Sequence, residues 1–197
     1  MMYKALALTL AVVSTLPLLN GCAAVAVGGA AAAGAVVAND RRASGIILQD
    51  QQIELDAMQI LRDHPDIKGR SNISVTSYNL RVLLTGEAES AELARRYASL
   101  VSQLPHVRSV YNEVAETARA GLWDESEDTY LTSKVKLALF NVDVDGFNPN
   151  MVKVVTSKEE VFLMGLVTPA EGRATVEEVR GLGGVKRVVE VFEYIEQ

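Results

Sequence analysis

Residues 72–195 state one pattern twice, and that repetition restricts the fold more than any other feature of the chain. Val75-Thr76-Ser77 returns as Val155-Thr156-Ser157, and Val82-Leu83-Leu84-Thr85-Gly86 as Val161-Phe162-Leu163-Met164-Gly165. Ala91-Glu92 returns as Ala170-Glu171, and His106-Val107-Arg108-Ser109-Val110 as Gly184-Val185-Lys186-Arg187-Val188. The offset is 78 to 80 residues, with the slips in loops. A period that long, occurring twice, means tandem domains and not a stack of short repeats.

Each copy opens with helical periodicity. Ile53, Ala57, Ile60 and Leu61 share one face in the first copy, and Leu131, Val135, Ala138 and Leu139 in the second. Two runs rich in Val, Ile, Leu and Phe follow, at about 72–76 with 80–86 and about 151–156 with 160–167. Ser77-Tyr78-Asn79 and Ser157-Lys158-Glu159 link them as hairpins. A second helix comes next. In the first copy Leu93, Tyr97, Leu100, Val101 and Leu104 form its apolar stripe. In the second it starts at Thr168 as N-cap, with Pro169 at the first helical position and Glu171 completing a capping box. A last strand, about 107–114 and 185–195, closes each unit. The order is α-β-β-α-β, and a helix joining two parallel strands makes a right-handed crossover. The expected fold class is α/β (α+β): two units, 46–117 and 124–197, each a three-stranded mixed sheet packed on two helices. Units of ~70 residues are marginal alone, so the copies are expected to support each other.

The N-terminus has a different character. Lys4 precedes an apolar stretch from Ala5 to Leu19, and Leu18-Leu19-Asn20-Gly21-Cys22 ends it. A charged start, an apolar middle and a small residue before the cut make residues 1–21 a secretory signal. The only cysteine, Cys22, stands directly after the cut, which makes it a lipoprotein signal with Cys22 as the lipidated residue. Diacylglycerol on the thiol and an acyl chain such as palmitate on the new amino group would hold the chain to a membrane, since each buried methylene contributes about 0.8 kcal/mol. Residues 22–45 comprise this cysteine and an Ala/Gly/Val-rich tether. Ala23, where Asp would favour retention at the inner membrane, points to the periplasmic face of the outer membrane.

Without residues 1–21 the chain has 176 residues and a net charge of −7, from 18 Lys and Arg against 25 Asp and Glu. That balance argues against broad nucleic-acid binding. One cysteine and two scattered histidines, His64 and His106, cannot build a usual zinc or iron site. Asp143-Val144-Asp145-Gly146 resembles part of a calcium loop but lacks the closing Glu. His64-Pro65-Asp66 reads as a turn after the first helix, and there is no Gly-x-Ser-x-Gly elbow. The reading is no enzyme, no cofactor and no small-molecule substrate.

The apolar strands ending in Gly86 and Gly165, with Gly184-Val185-Lys186-Arg187-Val188 and its counterpart at 106–110, resemble the BON domain, a small periplasmic module of OsmY-like proteins. Two such units behind a lipobox, an Ala/Gly/Val tether and Asp40-Arg41-Arg42 are similar to the DolP-like family of dual BON-domain outer-membrane lipoproteins. The resemblance implies a non-enzymatic protein that maintains envelope integrity. It also implies that the first helix of the second domain binds anionic phospholipid and directs the protein to the division site. A link to the β-barrel assembly machinery is implied as well.

The residues of that helix, about 128–140, bear on the point directly. Tyr130, Lys134 and Leu137 follow i, i+4, i+7 and share a face. The candidate phospholipid-binding set is Trp123, Tyr130, Leu131, Lys134, Lys136, Leu137 and Phe140, although Leu131 also belongs to the stripe expected against the sheet. Aromatic rings and lysines suit an interface where rings sit at headgroup depth and lysines meet phosphate. The first copy has acids near the equivalent places, so the copies are expected to differ in task. Against this reading, Trp123 and Tyr130 could pack between the domains, and Leu137 or Phe140 could cap the core. The acidic run 124–128 fits a helix N-terminus, with Asp128 or a neighbour as cap. The competing function is a periplasmic adaptor in which the same surface, or the sheet of the first domain, docks the barrel-assembly machinery.

Overall fold

A computed structural model describes residues 40–117 and 125–196. The first domain runs α1 Ser44–Asp63, a short α2 Pro65–Lys68, β1 Ser71–Tyr78, β2 Arg81–Ala88, α3 Ala91–Val101, β3 Ser109–Asn112 and β4 Ala115–Glu116. The second runs α4 Glu125–Ala138, β5 Val152–Ser157, β6 Glu160–Val167, α5 Pro169–Arg180 and β7 Arg187–Tyr194. In both, a hairpin is antiparallel and the last strand lies parallel to the middle one. This is the expected α-β-β-α-β order. The capping box of α5 forms as read, with Thr168 accepting from the Glu171 amide and Glu171 from the Thr168 amide.

The first copy departs from expectation at its last strand, which is broken into β3 and β4, so its sheet has four strands rather than three. The side chain of Asn112 accepts a bond from the Val114 amide (3.3 Å), a local turn that competes with the ladder. The residue in the matching register of the second domain is Glu190, whose side chain accepts from the Tyr194 hydroxyl (2.8 Å) instead, and β7 runs unbroken for eight residues. A second departure concerns the hairpin links. Tyr78 ends β1 and is buried, and the turn residues are Asn79 and Leu80.

Both hairpin turns are left-handed at two successive non-glycine residues: Asn79 and Leu80 (φ 51° and 65°), and Lys158 and Glu159 (φ 54° and 63°). That conformation costs about 1–2 kcal/mol per residue. A carboxylate from the first helix offsets it each time. Asp50, buried on α1, accepts from the amides of Asn79 and Leu80 (2.8 Å each), the Ser77 hydroxyl (2.7 Å) and Arg42 (2.7 Å). Asp128 on α4 accepts from the amides of Lys158 (3.0 Å) and Glu159 (3.2 Å). The role expected of Asp128, a helix cap, is replaced by this cross-link from helix to turn.

Helices cover one face of each sheet. Ile53, Ala57, Val82, Leu84 and Tyr97 fill the first core; Leu131, Val135, Val161, Leu163 and Val179 fill the second. The opposite faces of the two sheets pack on each other through Tyr78, Leu83, Phe162, Met164 and Val191. The layers therefore run helix, sheet, sheet, helix. Alternation explains why both faces are apolar: neighbours along β2 and β6 point to opposite sides and both sides are buried. The expectation that the sheet of the first domain is free to dock a partner is corrected here, because its open face is covered by the second domain.

Polar bonds frame the seam. Tyr78 donates to the Met151 carbonyl (3.2 Å), and Arg81 to the Phe192 carbonyl (3.1 Å). Arg187 binds Glu160 in its own domain and Glu113 in the other (2.9 Å). Arg41, before α1, makes a two-pronged bond to Glu171 of α5 (2.6 and 2.7 Å) and donates to the Leu166 carbonyl (2.9 Å). The Arg41 guanidinium beside Glu171 holds its carboxyl below the usual carboxylate range, against the opposing effect of burial.

Two outcomes follow from this architecture. Phe162→Ala should lower stability by about 3–5 kcal/mol in urea unfolding, as for a fully buried aromatic. Because the folded pKa of Glu171 is depressed, its stabilisation is present above the unfolded value of about 4.3 and lost as pH falls through the lower folded one. Unfolding midpoints of wild type and Glu171→Gln should therefore converge in acid, and an unchanged gap at all pH values would contradict the pairing.

Candidate functional site

Helix α4 and the 3-10 turn Leu139–Asn141 that extends it carry the candidate site. The helix has two apolar sides. Leu131, Val135, Ala138 and Leu139 are buried against the sheet and α5. Tyr130, Leu137 and Phe140 are 71%, 70% and 74% exposed. At 100° per residue these three and Lys136 fall on the side facing away from the buried stripe. Tyr130 is thus not packed between the domains, and Leu137 and Phe140 do not cap the core.

The predicted set is partly brought together. Leu131 is corrected: it is 4% exposed and belongs to the core, as its i, i+4 partner Val135 requires. Lys134 is half-buried and donates to the Gly183 carbonyl (2.6 Å), which orients its ammonium toward the loop before β7. Lys136 is exposed. Trp123 and Cys22, with the signal, most of the tether and residues 118–124, lie outside the described residues. Acid borders the patch at Glu127, and Glu159 there is ion-paired with Lys186. The surface that remains is an aromatic and aliphatic ridge, Tyr130, Leu137 and Phe140, with Lys136 and Lys134 beside it.

Sequence reasoning missed a second exposed apolar row. Leu48, Leu55 and Met58 on α1 are exposed, at i, i+7 and i+10, between Gln51, Gln52 and Gln59. The spacing is readable in the sequence, but it runs beside the stronger buried stripe of the same helix, Ile53 and Ala57. The cation beside this row is Arg62, exposed on the same side and donating to Gln59 (2.9 Å), where α4 has two lysines. Among the described residues, no helix is long and apolar enough to cross a membrane, and no group of three His, Cys, Asp or Glu is placed to hold a metal.

The profile of the BON domain matches residues 49–118 and 127–196. The chain belongs to the BON-domain family. Over 179 residues it is 34% identical to the "Outer membrane lipoprotein DolP" of Haemophilus influenzae (strain ATCC 51907 / DSM 11121 / KW20 / Rd), covering 90% of this chain and 91% of that one. It is 30% identical over 158 residues to the "21 kDa hemolysin" of Actinobacillus pleuropneumoniae, covering 80% of each. Paired BON units and near full-length similarity make it a dual-BON, DolP-like protein. CdsD, a structural protein of the type III secretion system of Chlamydia trachomatis, aligns with 71% of this chain and 92% of its own. Its TM-score of 0.28 and identity of 12% bear on neither fold nor function.

The two sides of α4 should respond differently to substitution. Leu131→Ala should cost about 2–5 kcal/mol in urea unfolding, whereas Leu137→Ser and Phe140→Ser should stay within about 0.5 kcal/mol. Equal losses from both sides would mean that the ridge is packed and not free.

Proposed function

We propose that this BON-family protein is a non-enzymatic outer-membrane lipoprotein that maintains envelope integrity, held by acyl chains on Cys22 and bound to anionic phospholipid through α4. The observation that carries the reading is the exposure of Tyr130, Leu137 and Phe140 on one side of a helix whose other apolar side is buried. A fully buried side chain of this size contributes about 1.5–3 kcal/mol, a strong reason to find a second apolar phase. Lysines beside the ridge favour lipid phosphate, and the chain's net negative charge makes that local attraction the deciding one. The acyl anchor and the ridge act together, since tethering turns the second contact into an intramolecular one. Enrichment at the division site is the accompanying localisation, as the resemblance to DolP-like proteins implies.

A second reading keeps an adaptor role toward the β-barrel assembly machinery. The exposed row of Leu48, Leu55 and Met58 on α1, flanked by Gln51, Gln52, Gln59 and Arg62, is the surface that favours it. The two readings use different helices and are compatible.

Vesicle co-sedimentation of a lipid-free form beginning at residue 40 separates them. Binding is expected to anionic and not to neutral vesicles, to weaken with salt as screening shortens to about 10 Å at 0.1 M, and to drop at least about tenfold in Leu137→Glu/Lys136→Glu. Leu55→Glu should leave vesicle binding intact. Equal binding by wild type and the α4 variant would sink the lipid reading.

A further inference from the structure

The two hairpins of the repeat differ in how their outer edges end. Each edge strand stands at the end of its sheet, β1 in the order β1-β2-β3 and β5 in the order β5-β6-β7. In a two-residue hairpin the residues flanking the turn bond to each other, so the residues one step further out point their amides away from the sheet. In the first domain that residue is Ser77, and its amide donates to the Glu54 carboxylate of α1 (2.8 Å). The α4 residue one repeat after Glu54 is Thr132, and its hydroxyl meets the Thr156 hydroxyl instead of a main-chain amide. By the same alternation Thr156 and Val154 direct their amides outward from β5. Among the described residues no main-chain bond reaches them from outside the hairpin.

A cleft of about 400 Å³ lies along this edge. On the β5 side it is lined by an unbroken run from Lys153 to the turn residue Lys158, on the β1 side by every second residue, Asn72, Ser74 and Thr76, and beyond them by Thr85, Gly86 and Glu87 of β2. The cleft therefore follows the main chain of β5 and looks onto the side-chain face of β1. Its third wall is the start of α4, and the Lys158–Glu87 ion pair bridges the two domains beside it. Walls of hydroxyl, amide and charged groups, with Glu87, Asp128, Lys153 and Lys158 among them, do not suit an acyl chain. They suit a segment that brings its own hydrogen-bonding main chain.

We propose that the β5 edge is a strand-addition site for an extended polypeptide of a partner protein. The added strand pairs with the outward groups of Val154 and Thr156. It places small polar side chains toward Ser74 and Thr76 on one side and toward Thr132 on the other. Lys153 is exposed at the rim and selects an acidic residue in the incoming strand. A second folded copy is not the occupant, because a sheet brought edge to edge would meet the first domain and α4, whereas a lone strand fits between them. This site uses other residues than the phospholipid ridge and stands independently of it.

The test uses the full lipid-anchored chain in detergent micelles and an acetylated, amidated Ser/Thr octapeptide with one central Asp. Amide hydrogen exchange at Val154 and Thr156 should slow by about tenfold with the peptide at about 1 mM, the slowing expected for a Kd of about 0.1 mM. Two further peptides carry N-methyl groups on alternate amides. One of them should lose the protection and the other keep it, because only one set of amides faces β5. Ser74→Trp, at an exposed position, should abolish protection while urea unfolding stays unchanged. Absence of protection at β5, protection elsewhere only, or equal behaviour of the two methylated peptides would each overturn the proposal.

Discussion

Two sheets share one apolar seam, and the rest of the molecule is arranged around it. Leu83 and Phe162 reach complete burial only because each sheet covers the other. A unit of this size with one face open to water would leave half of its sheet unpaid for. Once the seam forms, helices have just one place left to lie, the outer faces. That consequence puts α1 and α4 on opposite surfaces of a four-layer stack, each with one side buried and one side free. The exposed ridges on both helices are thus products of the same constraint, and they differ in the residues that flank them.

Much of this was legible in the sequence. The offset of about 79 residues announced tandem units, the apolar periods assigned helices and strands, and Thr168, Pro169 and Glu171 marked a helix start to the residue. The exposed side of α4 was also readable, because Tyr130, Leu137 and Phe140 lie off the stripe set by Leu131 and Val135. What could not be read is what depends on neighbours distant in sequence. Asp50 and Asp128 sit one repeat apart, but their purpose appears only where a left-handed turn approaches them. Glu171 was recognised as half of a capping box, while its other half-bond to Arg41 spans 130 positions. The mutual burial of the sheets was hidden for a related reason: strands covered on both faces lose the simple alternation that would reveal a free face. The break after Asn112 is a local conflict that an apolar pattern does not register.

Duplication has left the copies alike in support and unlike in surface. Both keep a carboxylate on the first helix that holds the hairpin turn, since losing it would expose two strained residues without compensation. Around that fixed point the sequences have moved apart. Glu54 stands where the second copy has Thr132, Asn112 where it has Glu190, and Asp56 and Met58 where it has Lys134 and Lys136.

The attachment of Arg41 gives the stack a mechanical character. Arg41 grips the second domain, and Arg42, its neighbour, binds Asp50 and stacks on Tyr78 of the first (3.9 Å). A pull applied along the chain from its N-terminal side does not peel one domain away from the other. The load divides at two adjacent guanidinium groups and enters both domains together.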